Sequence, residues 1–190
     1  MKLKSLLVTL LFPLSLFAYQ GSTELRAGYF YPASSVIRDI YGGGIEGELE
    51  TAVRLYRGLH LFANTGIFIK DGHSIGLDDK TRMKLFPLSV GLKYHFQLSC
   101  KWEFYLGTAP TYTWVHFHDH SSSVDQHVHK SAWGVVGKTG LIYAFYKAFF
   151  ADLFFDYYYT EISGTHSPGV TSTNCDVGGF RTGLGLGIKY

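Results

Sequence analysis

The sequence predicts an all-β chain: an eight-stranded antiparallel β-barrel that crosses a membrane, with short turns at one end and longer loops at the other. Three observations predict it. The N-terminus has the make-up of an export signal. No later stretch holds the roughly 20 apolar residues that a transmembrane helix needs. From Glu24 to the last residue, polar and apolar positions alternate with a period of two.

Residues 1–18 read as a signal peptide, with Lys2 and Lys4 as its basic start, Leu6 to Leu14 as its apolar centre and Ser15 to Ala18 as its exit. Leu16 is bulkier than the small residue favoured there, and cleavage is expected after Ala18. Residues 19–190 then form the barrel, one domain with no linker. A net charge of +2 with 17% charged residues excludes a nucleic-acid binder and an acidic tail. The aromatic content is concentrated in the alternating segments: 14 Tyr, 15 Phe and 3 Trp.

The terminal segment alternates most strictly. Phe180, Thr182, Leu184, Leu186, Ile188 and Tyr190 interleave with Arg181, Gly183, Gly185, Gly187 and Lys189. Seven earlier segments repeat the pattern, on Leu25 to Tyr31, Ile45 to Val53, Leu59 to Ile69, Phe86 to Tyr94, Phe104 to Trp114, Trp133 to Tyr143 and Phe149 to Tyr159. The total of eight is even, as antiparallel closure of a bacterial barrel requires.

The opposite parity carries the charge: Glu24, Arg26, Glu46, Glu48, Glu50, Arg54, Lys93, Glu103, Lys138, Asp152, Asp156, Arg181 and Lys189. A soluble sandwich would turn these to water; a membrane barrel encloses them and turns the apolar parity to lipid. The barrel is favoured by aromatics bunched at strand ends, by alternating short and long connections, and by the aromatic Tyr190 closing the last strand. Short turns are expected around Arg57-Gly58, Ser99-Cys100 and Tyr146-Lys147.

Gly183 to Tyr190 resembles the C-terminal assembly signal of Gram-negative outer-membrane barrels, and strand count and length resemble the small OmpA/OmpX-like group. The resemblance implies a location in the cell outer membrane, surrounding outer-membrane lipid, delivery by the barrel-assembly machinery through Tyr190, and a monomer. It names no activity.

An eight-stranded lumen is just filled by side chains, so seven acids and six bases are expected to pair into a plug that leaves no pore. Pro87 and Pro110 fall inside predicted strands, where each removes a ladder N–H; local bulges are the expected remedy.

Five of the nine histidines, His116, His118, His120, His127 and His129, lie within fourteen residues of one outer loop and its strand ends. Alternate spacing puts the first three on one face and the last two on another short face, and the runs converge if the loop folds back. Such a set suits Zn, Ni or Cu, with Asp119 or Asp125 as ligand or support. A polar loop without a metal is the plain alternative, and a pH-responsive loop a third.

A different class is an enzyme. One lipid A deacylase family has a His-x-Ser arrangement facing the outer leaflet, and His129-Lys130-Ser131 resembles it, with Glu161 of outward parity on the next strand. Cys100 and Cys175 are expected at opposite ends of the barrel, too far apart for one disulfide. The leading expectation is a structural or adhesion-type barrel whose outer loops contact host or surface ligands. Metal capture is its refinement; a deacylase and a small pore are its rivals.

Overall fold

The computed structural model describes residues 20–73, 80–120, 125–162 and 175–190; the predicted signal peptide lies outside them. In chain order the elements are β1 (Gly21–Pro32), α1 (Ser35–Tyr41), β2 (Gly44–Tyr56), β3 (Leu59–His73), β4 (Lys80–Gln97), β5 (Trp102–His120), β6 (Asp125–Tyr146), β7 (Phe149–Ile162), β8 (Cys175–Asp176) and β9 (Gly179–Lys189). Each long strand pairs antiparallel with the next, β7 pairs with β9, and β9 pairs with β1, for example Leu25 opposite Leu186. Eight long strands therefore close a ring. The two-residue β8 lies against the end of β7 and leads into β9.

Two of the three short turns place a non-glycine residue in the left-handed region, Arg57 at φ 45° and Lys147 at φ 26°. Just before each turn the register slips by one residue, between Arg54 and Tyr56 and between Ala144 and Tyr146. Such a bulge lets a short loop follow the right-handed twist of the strands. The third turn is closed by the amides of Leu98 and Ser99 donating to the Trp102 carbonyl at 2.9 and 3.1 Å.

The prolines need no bulge. Opposite Pro87 the β3–β4 ladder skips two rows between Thr65–Leu88 and Phe68–Leu85, and the register is the same on both sides. On its other side Pro87 pairs with Thr113 in an unbroken stretch. Pro110 behaves alike: β4–β5 skips from Ser89–Thr111 to Leu92–Thr108, while Pro110 faces Val135 in a continuous β5–β6 ladder. Each strand carries two ladders, so a missing N–H interrupts one and the other holds the register.

The outer surface is apolar where a soluble protein would be polar. Leu25, Leu184 and Leu186 are each about two-thirds exposed, and Val90, Leu106, Val135 and Leu153 are also exposed. Aromatic pairs flank this band at both ends: Trp102–Tyr143 and Tyr94–Phe96 toward the short turns, Tyr112–Trp133 and Tyr157–Phe180 toward the other end, with centroids 4.6 to 5.0 Å apart. An exposed apolar belt between two aromatic girdles is a lipid-facing surface.

The sequence offered no helix, and α1 is the exception to an all-strand chain. Ile37 and Tyr41 of α1 are buried and Ile40 packs beside them, while Gly42 at φ 63° returns its amide to the Arg38 carbonyl. A left-handed glycine ends the helix after two turns.

Candidate functional site

The lumen is filled in two layers above an open inner end. At the outer end, Phe30, Phe68, Met83, Leu85 and Val115 point inward from the strands and meet Ile37 and Tyr41 of α1. The helix packs over this cluster. Alternation fixed only which parity faces inward; the apolar character of that parity at the outer strand ends was readable in Phe68, Met83, Leu85 and Val115 but was masked by the charges lower down.

The second layer is ionic and centres on Arg26. Its Nε lies 2.9 Å from Glu24 Oε1, its Nη2 2.9 Å from Asp152 Oδ2 and its Nη1 3.1 Å from Glu50 Oε2. Lys138 Nζ sits 2.7 Å from Glu48, 3.0 Å from Glu50 and 3.1 Å from Asp156. Arg181 Nε is 3.0 Å from Glu46, and its guanidinium stacks 3.7 Å over the Tyr158 ring. Lys93 pairs with Glu50. Among the described residues six carboxylates and four bases are fully buried here. Neutral donors offset part of that surplus: Tyr105 gives a 2.9 Å hydrogen bond to Asp152, and Asn64 a 2.6 Å bond to Glu48. Buried charges held this way resist hydration, because freeing either partner leaves the other unpaired in a low-dielectric space.

The three remaining predicted interior charges lie lower, at the end of the short turns. Glu103 takes Lys189 at 2.6 Å and His95 Nδ1 at 3.0 Å. Arg54 is exposed at the rim, makes no ion pair among the described residues, and donates instead to Gln20 Oε1 and the Arg57 carbonyl. With His60 these groups line an open vestibule of about 960 Å³ whose mouth includes Arg57 and Lys147.

The histidine-rich segment is a hairpin rather than a loose loop. Register sets His116 directly opposite His129 and His118 directly opposite His127. Directly opposed residues share a face, so all four belong to one face; the expected split into two faces is corrected by the pairing. His120 stands opposite Asp125 on the same face. The neighbouring ladder continues these rows with Lys84, Arg82 and Lys80 opposite His116, His118 and His120. The β6–β7 ladder ends at Gly134–Thr160, so β6 from Asp125 to Trp133 rises beyond the closed ring. That is about 30 Å of strand. His116 packs edge-on to Phe86 at 6.0 Å. The side chains of His118, His120, His127 and His129 lie outside the described residues, and among those described no group of three metal-ligating side chains occurs.

The hydrolase candidates are held by other partners. Tyr112 Oη donates to Ser131 Oγ at 2.7 Å, and Tyr159 Oη donates to Glu161 at 3.3 Å. No contact among the described side chains joins Ser131 to Glu161, and the side chain of His129 lies outside them. Cys100 is exposed and free in the turn after β4. Tyr190 is tied to β1 by reciprocal backbone bonds with Gly21 at 2.8 and 2.9 Å.

No family model and no curated protein matches the chain. Solved structures do. OprG from Pseudomonas aeruginosa is 19% identical with a TM-score of 0.66, covering 91% of this chain and 96% of that one. Neisserial surface protein A is 17% identical with a TM-score of 0.60, covering 90% and 96%. Ail, the attachment invasion locus protein of Yersinia pestis, in complex with the heparin analogue sucrose octasulfate, is 12% identical with a TM-score of 0.58, covering 90% and 98%. Closed ring, apolar belt and these likenesses agree: the chain has the fold of the small eight-stranded outer-membrane barrels.

Proposed function

We propose that this chain is an outer-membrane barrel that works by surface contact, through the wall its β3–β6 strands raise above the membrane. The observation that carries the reading is the filled lumen: an apolar cap over an ionic core leaves the rims as the working surfaces. After export by the 1–18 leader, the barrel machinery would insert the chain through its Tyr190 end, as a monomer in outer-membrane lipid.

The ligand class follows from charge. Lys80, Arg82 and Lys84 run beside a column of histidines, directly above the Tyr112, Trp114 and Trp133 girdle. Among the described residues Arg82 has one acidic partner, the exposed Asp71. A cationic stripe on a projecting wall suits a sulfated or phosphorylated glycan. The sucrose octasulfate complex of Ail supports this as a use to which the fold is put. The test is retention of the detergent-solubilised barrel on immobilised heparin. Salt-sensitive retention that falls about tenfold in K80Q/R82Q/K84Q supports the reading; passage of the folded wild type without retention overturns it.

A second reading is favoured by the cross-strand histidine rows. Two opposed pairs two residues apart supply up to four imidazoles to one Zn, Ni or Cu ion. Zinc calorimetry on residues 19–190 in detergent tests it. Saturable uptake lost when His116, His118, His127 and His129 become alanine supports a metal site, and no uptake by the folded barrel removes it.

A further inference from the structure

We propose that the inner vestibule, at the end of the short turns, is a binding site for a phosphate-bearing anion. It lies at the opposite end of the barrel from the surface-contact wall and does not depend on that reading.

The vestibule is the unfilled lower end of the lumen, a cavity of about 960 Å³. His60 and His95 line it, packed with centroids 4.1 Å apart, and behind them His95 stacks on the fully buried Tyr105 at 5.6 Å. Four cations line it: Arg54, Arg57, Lys147 and Lys189. One side-chain carboxylate faces them, Glu103, and it is already taken by Lys189 and His95. Even with a terminal carboxylate at Tyr190 counted, positive charge remains in excess.

The unbalanced cations are held ready. Arg54 is oriented by two neutral acceptors, the Gln20 side chain and the Arg57 carbonyl. Arg57 and Lys147 lie over the rings of Tyr56 and Tyr146 at 5.2 and 6.0 Å, and neither has a carboxylate partner among the described residues. His95 Nε2 is buried with no hydrogen-bond partner, on a side chain only 9% exposed. A charged rim that merely met lipid headgroups would carry its cations on the outward parity. Arg54 and Lys189 instead share the inward parity of Ala52 and Arg181, which are buried. They turn into the lumen.

Several donors of different geometry around one concave space suit the tetrahedral oxygen array of a phosphate anion better than a planar carboxylate. Guanidinium groups bind it through a fork and ammonium groups as point charges. The cleft also has low-dielectric walls, which concentrate the field on an entering anion. A soluble phosphate compound and a phospholipid headgroup share this chemistry.

The test follows the side-chain resonances of His60 and His95 by NMR, with the barrel in a non-ionic maltoside micelle. Inorganic phosphate is titrated at constant ionic strength against chloride. In a second arm, phosphatidylglycerol is added to the micelle. Saturable shifts at both histidines are expected, with the apparent Kd weakened about tenfold or more in R54Q/K147Q. Arg57→Gln, an exposed turn substitution, is the companion variant should the double one fail to fold. Saturation by phosphatidylglycerol without saturation by inorganic phosphate assigns the site to a lipid headgroup; saturation by phosphate assigns it to a soluble ligand. No saturable shift in either arm, or shifts unchanged in both variants, overturns the proposal.

Discussion

Arg26 on β1 reaches past β9 to Asp152 on β7, Nη2 to Oδ2 at 2.9 Å, with both side chains fully buried. The two strands do not pair; β9 runs between them. The contact therefore bridges second-neighbour strands. The same guanidinium, shared by Glu24 and Glu50, donates at 3.1 Å to Tyr105 on β5, four strands away on the far side of the ring, so the cluster as a whole braces the lumen.

Replacing Arg26 with methionine keeps a long side chain and removes the charge that this cluster surrounds. Five carboxylates, Glu24, Glu48, Glu50, Asp152 and Asp156, lose a shared partner at once. The expected cost is about 3–5 kcal/mol, the usual penalty for breaking a buried charge pair from one side. Urea unfolding of the barrel in lipid bilayers reads it, and an unchanged midpoint would show that the brace contributes nothing.

Gly140 is needed for the same cluster. A Cβ there would lie 2.5 Å from Tyr105 Oη and 2.7 Å from its ring. Gly140→Ala must push Tyr105 away from Arg26 and Asp152, and overpacking of this kind costs about 1–3 kcal/mol. A Gly140→Ala/Tyr105→Phe double variant removes the displaced hydroxyl as well, and a cycle over the two changes should show strong non-additivity. Additive effects would mean that the two positions do not communicate.

The outer cap answers to a different substitution. Ile37→Ala removes a buried side chain from the cluster of Phe30, Phe68 and Met83 beneath α1. A buried isoleucine truncated to alanine costs about 2–5 kcal/mol where the loss is fully felt. A seven-residue helix has little stability apart from its packing, so the loss should appear as faster amide exchange across residues 35–41 with the strands unaffected. Equal exchange in the two proteins would show that α1 does not depend on the cap.

Much of this was legible in the sequence because a period of two is a strong signal when eight strands repeat it. Leu184 and Leu186 outward, with Arg181 inward, needed only alternation. Closure needed only an even count. Register was less legible, since nothing local says that His116 meets His129 rather than a neighbour; pairing across a ladder is a long-range property. The prolines misled in a definite way. Pro87 pointed to a bulge, yet its second ladder with Thr113 kept the strand in register. α1 was missed because Ile37, Ile40 and Tyr41 form a short helical stripe inside a chain dominated by strand alternation. The vestibule was missed for another reason: Arg54, Arg57 and Lys147 come together only when two separate turns meet at one mouth.

Conductance across a planar lipid bilayer tests the central claim, that the lumen is closed and the chain works from its rims. The filled layers from Phe68 through Arg26 predict no steady, sized current steps from the folded wild-type barrel at any applied voltage that the bilayer tolerates. Reproducible unitary steps, scaling with salt and absent from protein-free bilayers, would contradict it and make the interior a pathway.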